Sequence, residues 1–142
     1  PTRRSSDLLE MIQDTEKSFP EHLAFFMLHH LHHPERTALF HQIEERLSTT
    51  GQGIQLLFSE LYKIRRQRLR IIIRMTEGYL IDINSKMTTR DYLASIWSLT
   101  YGAAVILNSS FYQRYLGSRD TLRVAYIEQA LAMPKQLEHA LT

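Results

Sequence analysis

From Tyr92 to Gln113 the chain runs for twenty-two residues, YLASIWSLTYGAAVILNSSFYQ, without one charged side chain, although 23% of the whole sequence is charged. A helix built from that run has no face suited to water. Wound at about 100° per residue, Tyr92, Leu93, Ile96, Leu99, Ala103 and Leu107 fall on one stripe, and Ala94, Trp97, Ser98, Tyr101 and Val105 fall on the opposite one. A small domain has one core, so the second stripe needs another partner: a bilayer, a second protein chain, or further layers of a monomer that encloses the helix. As a helix the run reaches roughly 33 Å, enough to cross a membrane. Its apolar content is broken by Ser95, Ser98, Thr100, Asn108, Ser109, Ser110 and Gln113, which favours protein. The small residues Ala94, Ser98 and Gly102 suit close helix packing.

At 142 residues the sequence fits one domain, a size that buries roughly two thirds of its unfolded surface. With no cysteine, disulfides and thiolate chemistry are excluded while the compartment stays open. A net charge of +2 is too mild to imply nucleic-acid binding. Residues Pro1 to Leu8, PTRRSSDL, resemble the translation of a sequencing adapter, which would make them an artefact and residues 9–142 the natural domain, with the true N-terminus missing.

The punctuation is helical throughout. Leu9 to about Lys17 has the composition of a helix end. Ser18 with Glu21 three residues on forms a capping-box pattern, Pro20 suits a first turn, and the helix it opens reaches about His32. After Pro34, the segment Glu35 to Leu47 carries Leu39, Phe40, Ile43 and Leu47 at helical spacing, and Gly51 and Gly53 mark a break. The longest helix spans Ile54 to Glu77, with Gly78 expected to end it as a left-handed cap and Tyr79 to Met87 expected to be a loop. Thr88 caps the uncharged helix, with Asp91 in its first turn. Gly117 and Ser118 precede a last helix, Arg119 to Met133, that Pro134 kinks or ends. There Val124, Ile127 and Leu131 face one way and Leu122, Tyr126 and Met133 nearly the other. No hairpin signal occurs, so the expected fold is an all-α bundle of about six helices. Its last two long helices, each with a spare apolar face, would form a four-helix interface with a second copy.

This order of elements, from HHPERTALF through RIIIRMTEGYLIDINSKMTTRDYLASIW to the final apolar pair, resembles the C-terminal ligand-binding and dimerisation domain of TetR-family transcriptional regulators over Leu9 to Leu141. Gly78, Thr88 and Asp91 fit the family's helix end, cap and acidic opening. The family's N-terminal helix-turn-helix is absent from the sequence, in keeping with the adapter reading. The resemblance implies a bacterial, cytoplasmic transcriptional repressor that is a homodimer, reaches operator DNA only through the missing N-terminal part, has no catalytic activity and no cofactor, and senses a small-molecule effector. The dimer interface would use Ala94, Trp97, Ser98, Tyr101, Val105, Leu122, Tyr126 and Met133. A helical protein-interaction module without a small-molecule site is the alternative.

Within the long helix, Lys63, Arg66, Arg70 and Arg74 share a polar face of the ordinary solvated kind, with phosphate binding as the other option. Arg65 and Arg68 differ, since they fall inside the apolar stripe beside Phe58 and Ile72. A guanidinium cannot shed its proton, and a desolvated unpaired charge costs several kcal/mol. Either Glu44, Glu45 or another acid pairs with them, or they snorkel outward, or they line a cavity and receive an anion. The expected pocket has walls from Phe26, His30, Phe58, Tyr62 and Trp97 and a cationic end at Arg65 or Arg68. It suits an apolar or amphipathic ligand, an anionic one included. His22, His29 and His33 lie on one stripe and are weak candidates for a metal; the competing reading is that imidazoles sit well at a helix C-terminus. No nucleophile elbow or phosphate loop occurs.

Overall fold

A computed structural model describes the backbone of residues 17–50 and 55–140 and the side chains of residues 17–46 and 63–135. The expectations for Pro1 to Glu16 and for Gly51 and Gly53 lie outside the described residues, as do those for the side chains of Leu47, Phe58 and Tyr62. Every described element is a helix: α1 (Phe19–His32), α2 (Pro34–Thr50), α3 (Gln55–Asp82), α4 (Thr89–Asn108), α5 (Ser110–Tyr115) and α6 (Arg119–Ala140). The fold is all-α. No helix among the described residues is long and apolar enough to cross a membrane.

The caps behave as local chemistry requires. The Ser18 hydroxyl accepts from the Glu21 amide at 3.4 Å and Pro20 sits in the first turn of α1, while Thr88 Oγ1 accepts from the Asp91 amide at 3.1 Å to open α4. At its other end α1 stops before Pro34, and two of its last carbonyls are taken up from outside the helix. Thr37 Oγ1 donates to the His30 carbonyl at 2.6 Å, and Arg123 Nε from α6 donates to the Leu31 carbonyl at 2.9 Å. The helix end is thereby closed.

α4 is the axis of the domain and packs against each of the other five helices. Its Tyr92, Ile96, Ala103, Ala104 and Leu107 meet Leu23, Met27 and Leu31 of α1, Leu80 of α3 and Ala130 of α6 in one buried cluster. Most of the first stripe read from the sequence is therefore core. The second is not covered by the described residues: Ala94, Trp97, Ser98 and Val105 are exposed, and only Tyr101 is half-buried, its ring 4.0 Å from that of His41.

Four boundaries or faces depart from expectation, each for an identifiable reason. Gly78 does not end α3; it keeps helical backbone, and the helix continues to Asp82 because Leu80 is buried and Tyr79 stacks on Phe19 with centroids 4.5 Å apart. The left-handed residue is Asn84, at φ 54°. The Ser85 amide donates to the Leu80 carbonyl at 2.9 Å and the Asn84 amide to that of Ile81 at 3.0 Å, the paired bonds of a Schellman end. A Cβ at Gly78 would meet nothing within 4 Å. Gly78→Ala is therefore expected to raise stability by about 0.5–1 kcal/mol, read as a higher urea midpoint with an unchanged slope; a lower midpoint would contradict this.

The uncharged run is not one helix either. Ser109 closes α4, its amide donating to the Ile106 carbonyl at 3.1 Å, and its hydroxyl then accepts from the Tyr112 amide at 3.4 Å to open α5. In α2, Leu39, Phe40 and Ile43 point outward at 56%, 64% and 44% exposure. The helix instead turns Thr37, Ala38, His41 and Glu44 toward the bundle, where Ala38 permits close approach and Glu44 finds a cation. α6 runs through Pro134 to Ala140, with Val124 exposed and Leu122, Tyr126 and Met133 leaning on the core of their own chain.

Pro134 explains how α6 continues. Proline has no N–H to offer the carbonyl four residues back, so the Ala130 carbonyl loses its helical donor. Tyr92 supplies one, its hydroxyl donating to Ala130 O at 2.8 Å. Burial, with Tyr79 adding to it, pushes the Tyr92 hydroxyl well above the usual tyrosine range, so it remains a donor. The Pro134 carbonyl accepts in turn from Ser85 Oγ at 2.7 Å, which ties the loop after α3 to the same turn of α6.

Candidate ligand-binding cleft

Three helices point matching stripes at one another. α1 presents Phe19, His22, Leu23, Phe26 and His30; α3 presents Arg65, Arg68, Leu69, Ile72, Met75 and Thr76; α4 presents Leu93, Ile96 and Trp97. Each set follows the three-and-four spacing that keeps side chains on one helix face. Because α1 and α3 both lean on α4 and touch each other only slightly, a cleft of about 420 Å³ remains between them. That volume lies within the range of small-molecule sites.

Five of the seven residues expected in a pocket, Phe26, His30, Arg65, Arg68 and Trp97, line this cleft; the side chains of Phe58 and Tyr62 are not among those described. Sequence reasoning passed over Phe19, His22, Leu69, Thr76 and Leu93 as lining. The signal for Leu69 and Thr76 was present, since they lie four and eleven residues after Arg65 on the same stripe. Phe19 and Leu93 needed the relative placement of whole helices, which no local pattern carries.

The polar groups in this wall are few and distinct. Thr76 Oγ1 donates to the Ile72 carbonyl at 2.6 Å and so serves its own helix. His30 lies against Phe26 and Trp97, with ring centroids 4.5 and 5.8 Å away. Burial, with the neighbouring His29 adding to it, lowers its pKa to about 4, so its imidazole is neutral near pH 7. Arg65 forms a two-pronged ion pair with Glu44 of α2: Nη1 donates to Oε2 at 3.0 Å and Nη2 to Oε1. Partial burial and the adjacent Arg68 both hold the Arg65 guanidinium below its ordinary pKa. Of the alternatives open from sequence, Arg65 therefore takes the internal pair.

Arg68 does not. Its Nε is buried and has no hydrogen-bond partner, and no acidic side chain among the described residues pairs with it or lines the cleft. The solvated basic face is what it looked like from sequence: Lys63, Arg66, Arg70 and Arg74 are all exposed. His22 turns into the cleft, His29 stands beside Phe25, and His33 lies 3.5 Å from Glu35. Among the described residues no three His, Asp or Glu side chains gather as a metal site.

Comparison with known proteins finds no matching family model, no matching curated protein and no matching solved structure.

Proposed function

We propose that this chain is the effector-binding and dimerisation domain of a bacterial TetR-like transcriptional repressor, a cytoplasmic binding module and not an enzyme. One observation carries the reading: the cleft of about 420 Å³ between α1, α3 and α4, apolar on its walls and holding a small number of polar groups. A scaffold module would have no reason to leave that space between its helices, since an unfilled core loses contacts that packing would supply. The ligand's work follows from position. α3 contributes six of the described lining residues, so an occupant that fits one placement of α3 better than another shifts the balance between them. In a two-headed repressor that shift would change the spacing of the DNA-binding parts, through which alone operator DNA is met.

Self-association is supported by the apolar surface left by the single chain. Trp97 and Val105 of α4 are 52% and 46% exposed, and Leu39, Phe40 and Ile43 of α2, which packs on α4, are exposed as well. The face centres on α4 and α2 more than on α6, whose Leu122, Tyr126 and Met133 already serve the core. Trp97 belongs to both places, lining the cleft and reaching the surface, so dimerisation and ligand binding would meet at one side chain.

The chain's single tryptophan is thus a built-in reporter. Titration with a neutral amphipathic alcohol such as decanol is expected to change Trp97 emission saturably, at one molecule per chain. Sedimentation velocity at micromolar concentration is expected to give a dimer. A flat titration would remove the effector reading, and a clean monomer the dimer. The coding sequence upstream of Leu9 in a genomic copy tests the family itself: a helix-turn-helix supports it and a different domain overturns it.

A further inference from the structure

The charge around the cleft does not balance, and the imbalance names a ligand class. Arg65 and Arg68 stand one turn apart on α3 and both line the cavity. Glu44 binds Arg65 through both of its carboxylate oxygens, so that pair is neutral and Arg65 has its anion already. Arg68 has none among the described residues, and its Nε is buried without a hydrogen-bond partner. A buried guanidinium nitrogen left without an acceptor is costly, which makes a position for an incoming oxygen favourable. His30 is neutral near pH 7 and adds no second charge. Of the rest of the wall, His22 adds an imidazole and Thr76 a hydroxyl that serves its own helix, while Phe26, Leu69, Ile72, Ile96 and Trp97 are hydrocarbon or aromatic.

We propose that the cleft takes an amphipathic monocarboxylate, its headgroup bound by Arg68 and its hydrocarbon part lying between α1, α3 and α4. This deepens the effector reading and rests on it. One guanidinium without an acid beside it matches one negative charge. A phosphate monoester, carrying close to two, would leave charge unpaired in an apolar wall, and a quaternary ammonium would meet Arg68 with repulsion. A guanidinium is also the side chain whose fork fits a carboxylate with two parallel hydrogen bonds. The tail contributes by burial, so affinity should rise about fourfold for each added methylene until the cleft is full.

The experiment compares headgroups on one tail, following Trp97 emission of the full chain with decanoate, decanol and decyl phosphate. In the unaltered protein at pH 7, decanoate is expected to bind about tenfold to a hundredfold more tightly than decanol, and more tightly than decyl phosphate. Arg68→Gln should remove most or all of the advantage of decanoate over decanol. Glu44→Gln, which frees Arg65 as a second cation, should narrow or reverse the preference over decyl phosphate. Equal binding of decanoate and decanol by the unaltered protein would overturn the headgroup assignment while leaving the apolar cleft as a site; binding of none of the three would overturn the effector reading with it. The first comparison needs no variant, so the proposal is tested even where Arg68→Gln fails to fold.

Discussion

Tyr92→Phe is expected to lower the unfolding free energy by about 1–3 kcal/mol although it removes only one oxygen atom. The reason is the proline on another helix. Pro134 cannot donate to the Ala130 carbonyl, Ala130 is fully buried, and the Tyr92 hydroxyl at 2.8 Å is the donor that reaches it. Without the hydroxyl a buried carbonyl stays unpaired and its full desolvation cost remains. Tyr92→Ala adds a cavity at a residue with no exposure, for about 3–5 kcal/mol in total.

A double-mutant cycle isolates the mechanism. Pro134→Ala returns a backbone N–H to the Ala130 carbonyl and, because Pro134 is itself buried, carries a packing cost of its own. In that background Tyr92→Phe should cost clearly less than in the natural sequence, a coupling of about 0.5–3 kcal/mol by urea denaturation. Strict additivity would mean that the hydroxyl and the proline act independently, and the account given for α6 would fail. The same contact gives the uncharged run its specificity. The first residue of that run, Tyr92, fixes which turn of α6 lies over the start of α4, a polar contact inside a core where apolar packing alone tolerates several registers.

How much of this was legible beforehand follows the range of the forces involved. Ser18 with Glu21, and Thr88 with Asp91, could be read as helix starts because capping is decided within four residues. The cleft could be read in part because Arg65 and Arg68 break an apolar period that the rest of α3 keeps. Gly78 misled because a glycine's intrinsic preference, about 1 kcal/mol, is smaller than the burial of Leu80 and the Tyr79 to Phe19 stacking that carry the helix past it. Ser109 could have been read and was not: Asn108, Ser109 and Ser110 are three side chains in a row that compete for backbone hydrogen bonds, and uniform lack of charge masked them. The rotation of α2 was out of reach. Its Leu39, Phe40 and Ile43 form the more apolar face, yet the Glu44 contact to Arg65 and the His41 contact to Tyr101 both draw the other face inward. Both partners are more than twenty residues away in sequence or on a different helix, so no window on α2 contains them.

The second large effect concerns acid. The unfolded chain titrates His30 near 6.5 and the folded chain near 4. Between those values the unfolded state binds a proton that the folded state excludes, so stability is full above about pH 6.5 and is lost as pH falls toward 4. The gap corresponds to at most about 3–4 kcal/mol, at about 1.4 kcal/mol for each pH unit. His30→Phe keeps an aromatic ring against Phe26 and Trp97 and removes the titration. Unfolding free energies of the two proteins, measured between pH 7 and 4, should therefore converge or cross as the pH falls, with the variant losing less. Parallel curves would show that His30 is not held neutral. Other carboxylates and imidazoles titrate in both proteins and cancel in the difference so long as they are independent of His30. The same measurement bears on the cleft. A carboxylate bound at Arg68 places negative charge in the cavity that His30 also lines, which favours the imidazolium and raises its pKa. Saturation with decanoate at pH above the ligand's own protonation range should therefore flatten the acid loss of the unaltered protein, and should leave the His30→Phe slope where it was. An equal effect on both slopes would place the carboxylate away from His30, and hence outside the cleft that Arg68 closes.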